Sequence, residues 1–165
     1  LMLLAAIVIK LQDGGAVLFK QERYTRNYDR FMLVKFRSMI EDAEKNGAQF
    51  TKPGDDRITP FGKFMRATRI DELPQFFNIL KGEMSLVGPR PLPMRDFERL
   101  EPWHRKRYLV LPGVTGLWQV SGRSNLDFDD LVRLDFLYLE RWSVALDLTI
   151  LLKTIPAVFT RRGAY

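Results

Sequence analysis

Apolar and polar positions along the chain fall into blocks whose period changes several times. The first block, "LMLLAAIVIKL" from Leu1 to Leu11, is apolar at ten of eleven positions, with Lys10 the exception. A helix that spans a bilayer needs about 20 such residues, so this one is too short to cross. It also lacks the basic leader and small-residue cleavage site of a signal peptide. Two readings fit it: a helix of the core, or the surviving end of a longer hydrophobic segment. "QDGG" closes the block as a turn. Val17 to Arg23 and Phe31 to Arg37 then read as two strands of a hairpin joined around Arg26 to Asp29. In "FMLVKFR", Val34 and Phe36 alternate with Lys35 and Arg37, which predicts one apolar and one basic face.

Asn46 to Thr59 is polar and turn-rich. Thr59 and Pro60 then stand in the N-cap and N1 order of a helix that carries Lys63, Arg66 and Arg69. "DELPQFFNILKG" predicts a further short helix, with Asp71 as its N-cap, Glu72 and Pro74 in its first turn and its stop at Gly82. Ser85 to Pro93 contains Pro89, Pro91 and Pro93, a spacing that forbids a helix and makes a stiff extended arm presenting Arg90. "LPGVTG" and "VSGR" read as turns. Leu126 to Trp142 has helical periodicity, and Ser143 can cap a last apolar helix running through Phe159, with Lys153 and Pro156 inside it and Arg161 and Arg162 beyond. Together these elements predict an α+β fold, mostly α, with a short β-hairpin. With no repeat, low-complexity tract or clear linker, residues 1–165 are expected to form a single domain.

Composition narrows the chemistry. The 165 residues hold 26 Lys and Arg against 20 Asp and Glu, a net charge of +6 and a pI near 9.7. An anionic partner is expected: nucleic acid, a phosphorylated small molecule or an anionic membrane surface. No cysteine is present, which removes disulfides, thiolate nucleophiles and cysteine-based metal sites. The single histidine, His104, cannot build a histidine metal cluster and reads as a surface residue.

The adjacent carboxylates Asp71 and Glu72 are the candidate chemistry. Taken alone they need only start a helix. Arg66, Arg69, Arg90 and Arg123 change that picture, because arginine forks neutralise phosphate oxygens while a carboxylate holds a divalent cation or attacks phosphorus itself. There is no Walker sequence, dinucleotide glycine fingerprint or GxSxG elbow.

"KFRSM" (Lys35 to Met39), "DDRITPFGKFMR" (Asp55 to Arg66), "DELPQ" (Asp71 to Gln75), "NILKGEMSLVGPRP" (Asn78 to Pro91), "PGVTGLWQVSGR" (Pro112 to Arg123) and the closing "RGAY" run in order over nearly all the chain. This set resembles the bacterial sugar transferase family, the monotopic polyprenyl-phosphate phosphoglycosyl transferases typified by undecaprenyl-phosphate glucose or galactose phosphotransferases. The resemblance implies transfer of a hexose-1-phosphate from a UDP-sugar to polyprenyl phosphate, with UMP released, at the start of exopolysaccharide, capsule or O-antigen synthesis. By that resemblance Asp71 is the nucleophile and a contact of magnesium, or of manganese in its place, and Glu72 supports metal binding or proton handling. Arg66, Arg90 and Arg123 hold phosphates, and Asp147 matches an acidic position on the nucleotide-sugar side. A further implication is a catalytic domain on the cytoplasmic face of the bacterial inner membrane, with amphipathic interfacial helices and a re-entrant membrane helix of which Leu1 to Leu11 is the returning half. Membrane lipids are then partners, nucleic acid is not, and a homo-oligomer is compatible. "ERYTRNYDRF" departs from the family, which has glycines near Thr25 and Tyr28; Asn27 can supply the left-handed turn instead.

Two readings compete. A basic binding module would use "EPWHRKRY" as a nucleic-acid patch or "GPRPLP" as a polyproline ligand. A non-catalytic membrane-surface scaffold would use Trp103, Trp118 and Trp142 as interfacial anchors, but it gives Asp71 and Glu72 no task.

Overall fold

A computed structural model describes residues 1–43, 54–98, 100–121 and 127–159. Arg123, Arg161, Arg162 and the "RGAY" ending lie outside the described residues, as do the last two residues of "VSGR" and most of the polar stretch before Thr59. The first helix, α1 (Met2–Asp13), ends at Gly14 in the left-handed conformation. Its Ala5 and Ile9 pack inward, whereas Leu1, Leu3, Leu4, Ile7, Val8 and Leu11 are exposed. No helix among the described residues is long and apolar enough to cross a membrane.

Strands β1 (Leu18–Tyr24) and β2 (Arg30–Phe36) pair antiparallel, from Leu18 opposite Phe36 to Tyr24 opposite Arg30. The turn between them holds Asn27 at φ 58°, the left-handed conformation expected of it, and Tyr28 at φ 66°. The expected division of β2 into an apolar and a basic face does not hold. Phe31 and Leu33 are buried against Met84, while Phe36 is buried against Ala5, Ile9 and Met65. The strand is sandwiched between two clusters, so each of its faces carries apolar contacts. By the two-residue period Lys35 falls on the Phe31 and Leu33 side, and Arg37 turns away to form an ion pair with Asp13.

The free edge of β2 is covered by one side chain. Asn78 donates to the Met32 carbonyl at 2.8 Å and accepts from the Val34 amide at 3.1 Å, so it satisfies backbone groups that a third strand would otherwise take. Asn78 belongs to α3 (Gln75–Leu80), which the contact fixes against the hairpin. Helix α2 (Pro60–Thr68) begins as expected, with the Thr59 hydroxyl accepting from the Gly62 amide at 2.9 Å. A Cβ at Gly62 would lie 1.9 Å from the Ser38 carbonyl oxygen, so only glycine allows α2 to sit this close to the end of the hairpin.

The extended arm includes β3 (Ser85–Val87), which pairs parallel with β4 (Gly113–Thr115). "LPGVTG" is therefore a strand rather than a turn. Its glycine serves approach instead of reversal: a Cβ on Gly113 would come within 2.1 Å of the Gly88 nitrogen. Between these strands lie α4 (Met94–Phe97) and a 3-10 helix from His104 to Leu109. His104, expected at the surface, is buried; its Nδ1 accepts from the Glu101 amide and its ring packs on Trp103. Arg107 and Tyr108 are buried too, so "EPWHRKRY" is no continuous basic surface patch. Pro89, Pro91 and Leu92 are likewise buried, which removes "GPRPLP" as an accessible polyproline ligand.

Helix α5 (Leu117–Ser121) leads to α6 (Phe128–Glu140) and α7 (Val144–Phe159). Asp127 caps α6 by accepting from the Asp130 amide, and Ser143 accepts from the Leu146 amide at the start of α7. Ile150 of α7 packs on Val87 and Tyr138, and the Thr115 and Thr154 hydroxyls share a hydrogen bond at 2.7 Å. These contacts tie the last helix to the small parallel sheet.

Candidate active site

Helix α2 stops at Arg69, whose backbone takes the left-handed conformation at φ 58°. That is an unfavourable geometry for a side-chain-bearing residue, and it turns the chain into a short 3-10 helix from Ile70 to Glu72. Asp71 and Glu72 therefore lie before α3 and not in its first turn. Pro74 takes the N-cap position, and no side-chain capping bond starts either the 3-10 turn or α3. The expected capping role of Asp71 is thus absent. Both carboxylates are buried instead, at 6% and 7% exposure.

Their surroundings pull them apart electrostatically. Glu72 faces the arm: Arg90 Nη2 donates to its Oε1 at 2.5 Å and Nη1 to its Oε2 at 3.3 Å, while Arg69 Nη1 stands 3.6 Å from Oε1. Burial alone would raise the Glu72 pKa, but the charges and hydrogen bonds of Arg90, with Arg69 and Lys35 behind them, hold it below the ordinary glutamate value. Asp71 has no such clamp, and its Oδ1 is buried without a hydrogen-bond partner. Burial and the negative charge of Glu72 raise its pKa, against the pull of Lys35, Arg69 and Arg66. One carboxylate is neutralised and fixed while its neighbour is left with a bare oxygen.

Lys35 is the residue that periodicity misassigned. From the inner side of β2 its ammonium feels Asp71 and Glu72, yet burial, with Arg90 and Arg23 nearby, lowers its pKa to about 8. The signal was present in the sequence, since counting in twos from Phe31 reaches Leu33 and then Lys35. Arg66 Nε donates to the Ser38 hydroxyl at 2.8 Å. Lys35, Arg66 and Arg90 together line a cavity of about 880 Å³ shared with Arg23 and Arg95. Asp71 stands behind that wall and lines neither of the two main cavities.

The arm that carries Arg90 is held by two more arginines. Arg107 donates to the Arg90 carbonyl at 2.7 Å and Arg23 to the Pro91 carbonyl at 2.6 Å. Arg107 is itself paired with Asp135 of α6 at 2.7 Å, with side-chain exposures of 1% and 2%. Proline-rich backbone offers few donors of its own, and these guanidinium contacts fix its carbonyls in place of a sheet ladder. Asp147 lies elsewhere: it accepts from the Tyr138 hydroxyl at 2.9 Å and from Trp142 Nε1 at 3.3 Å and lines neither cavity.

Fold and charges together define a class: an α+β protein in which a buried, unclamped carboxylate stands beside a clamped one behind a cationic cavity, an arrangement suited to phosphate groups. The chain belongs to the bacterial sugar transferase family, whose model matches residues 1–161. It is 46% identical over 165 residues to "Galactosyl transferase CpsE" of Streptococcus agalactiae, covering 93% of this chain and 37% of the relative. It is 45% identical over 170 residues to "UDP-N-acetylgalactosamine-undecaprenyl-phosphate N-acetylgalactosaminephosphotransferase" of Aeromonas hydrophila, covering 99% of this chain and 40% of that protein. Similarity to "UDP-glucose:undecaprenyl-phosphate glucose-1-phosphate transferase" of Caulobacter vibrioides is 40% over 173 residues, all of this chain and 65% of the relative. The chain thus spans less than half the length of the first two.

Proposed function

We propose that this protein is a phosphoglycosyl transferase that moves a hexose-1-phosphate from a UDP-sugar to undecaprenyl phosphate through an aspartyl-phosphosugar intermediate, initiating synthesis of an exopolysaccharide, capsule or O-antigen. The observation that carries the reading is Asp71: buried, with an unpartnered oxygen, among Lys35, Arg66 and Arg69. A carboxylate is a weak nucleophile toward a diphosphate, and attack requires nearby cations to screen the repulsion. In the first step an Asp71 oxygen attacks the sugar-bearing phosphorus, the P–O bond to UMP breaks, and UMP leaves with the electron pair. In the second, an oxygen of the lipid phosphate attacks the same phosphorus and Asp71 departs as free carboxylate. Arg90 holds phosphate oxygens from its fixed place on Glu72, with Arg66 and Lys35 on the cavity wall. The names of the relatives, which specify a UDP-sugar and undecaprenyl phosphate, support the substrate pair.

Magnesium fits this donor set in a limited way. It is commonly held by one or two carboxylates together with substrate phosphates, and the unpartnered oxygen of Asp71 meets that need. Glu72 has both oxygens engaged by Arg90, and among the described residues no group of three acidic or histidine side chains could cage an ion. Asp71 would hold the ion with the diphosphate, where it supplies further screening of charge; manganese suits the same oxygen ligands. The test is incubation with a panel of UDP-sugars, magnesium and no lipid acceptor. UMP should appear in an amount stoichiometric with enzyme, with one hexose phosphate added to the peptide containing Asp71, and excess chelator should suppress both. A requirement for lipid acceptor from the first turnover would replace this scheme with direct displacement.

Placement on the cytoplasmic face of the bacterial inner membrane, without crossing it, belongs to the same proposal. The bare apolar side of α1 and the exposed Val144, Leu148, Leu152 and Ile155 of α7 support it. An apolar face lying in a lipid interface is held by buried area as well as charge. The protein should therefore stay on membranes in high salt and leave in detergent; release by salt alone would sink this part.

A further inference from the structure

Each carbonyl of the arm from Pro89 to Pro91 is taken by a donor from another part of the chain. The Gly113 amide donates to Pro89 at 2.9 Å, Arg107 Nη2 to Arg90 at 2.7 Å and Arg23 Nη1 to Pro91 at 2.6 Å. The Arg107 contact falls on the residue whose guanidinium grips Glu72, and it reaches further than the other two. The Nη2 atom that donates to the Arg90 carbonyl also stands 2.7 Å from Oδ2 of Asp135 on α6, a residue only 1% exposed. Three positions along α6, the Tyr138 hydroxyl lies 3.3 Å from the Val87 carbonyl. Residues three apart share one helix face, so one face of α6 holds the arm on both sides of Gly88 and Pro89, at Val87 directly and at Arg90 through Arg107.

A buried ion pair is a costly way to hold one carbonyl. Taking two charges out of water is repaid by their attraction only in good geometry, and an apolar pair of similar volume is often as stable. A neutral backbone amide is enough for Pro89 next door. What the charged pair adds is direction, because it ties the Arg107 fork, and with it the Arg90 backbone, to a fixed point on α6. We propose that Asp135 is a positioning residue for Arg90: through Arg107 it sets where the Arg90 backbone stands, and hence how the guanidinium meets Glu72 and the cationic cavity. Asp135 lines neither cavity, so it acts on the reaction through Arg90. The proposal rests on the transferase reading above, in which Arg90 holds phosphate oxygens. A group that holds substrate and is displaced by about 1 Å loses about 100-fold in rate.

The test is the paired variant Arg107→Met with Asp135→Leu, made in the full chain and studied in detergent. Both charges leave together, so it should melt close to the parent, while UMP release from a UDP-sugar without lipid acceptor falls about 100-fold. Adding the pair to Arg90→Lys should cost nothing further, because a residue that acts through the Arg90 guanidinium has no effect once that group is gone. A second readout needs no turnover. A guanidinium held on a carboxylate by two bonds rotates slowly and gives separate Nη signals in NMR of arginine-labelled protein. The Arg90 signals, identified by their loss in Arg90→Lys, should merge in the paired variant. If that variant does not fold, Asp135→Asn, which keeps size and removes the charge, carries the same measurements with the same signs. Parental UMP release in a folded variant, a loss that multiplies with that of Arg90→Lys, or Arg90 signals that stay separate would each overturn the proposal and leave Arg107 and Asp135 as supports of the fold alone. Merged signals with no turnover of any UDP-sugar, in parent or variant, would uphold the positioning and overturn the transferase reading alone.

Discussion

Replacing Asp71 with asparagine is expected to abolish transfer while leaving the fold at least as stable. Asparagine preserves size but removes the attacking oxygen's charge, so UMP release and lipid-linked product should fall by roughly 10⁴-fold or more, the scale seen when a covalent nucleophile is deleted. Stability should move the other way. In the folded state Asp71 is buried, pressed by the charge of Glu72, and its pKa is raised. An acid whose folded pKa exceeds its unfolded one destabilises the fold once it must ionise. That cost accumulates from the ordinary aspartate pKa, about 3.9, up to the raised folded value and is constant above it. Asp71→Asn lacks it. At neutral pH the variant should be more stable by about 1 kcal/mol, a rise in Tm of roughly 2–4 °C, and the gap should close on acidification. Thermal melts of both proteins across this pH range check the sign; a variant clearly less stable than the parent at pH 7 would show that Asp71 has a structural partner.

Glu72→Gln should give the opposite balance. Its carboxylate forms the two-pronged pair with Arg90 and is approached by Arg69. Removing one partner of a buried pair leaves the other uncompensated, which costs about 3–5 kcal/mol when both are fully enclosed. Arg90 retains 27% side-chain exposure, so about 2 kcal/mol is expected, a fall in Tm of roughly 4–8 °C. Glu72 has a lowered folded pKa. Its contribution is therefore complete above the ordinary glutamate pKa and is lost as pH falls through the folded one, so the deficit of the variant should shrink in acid. Activity should fall as well, because Arg90 loses the anchor that aims it. Unchanged melting with activity lost would mean that Glu72 acts on substrate directly rather than by holding Arg90.

The two variants separate roles that adjacent residues share in sequence. "DE" at a helix start predicts two interchangeable first-turn acids. The left-handed Arg69 and the 3-10 turn after it send the two carboxylates into different surroundings, one clamped and one bare.

Local rules were enough where the interaction is itself local. Thr59 and Pro60 opening α2, Ser143 opening α7, Asn27 in the hairpin turn and the stop of α3 before Gly82 all follow from backbone groups seeking partners within a few residues. The proline spacing fixed the arm as extended and so presented Arg90, and the ordered motifs pointed to the family. Tertiary structure decided what depended on distant chain. Gly113 reads as a turn until Gly88 is brought against it, and His104 reads as surface until Trp103 and Phe128 close over it. Lys35 could be counted onto either the basic face with Arg37 or the apolar face with Phe31 and Leu33, and the apolar clusters on both sides of β2 decide between the two. Arg107, the most enclosed cation of the arm's support, had no signal in its own neighbourhood because its partners are a carbonyl 17 residues before it and Asp135. Periodicity reports whether a position is buried against something. What it is buried against, and hence which carboxylate is clamped and which left bare, is set by long-range packing that no local pattern contains.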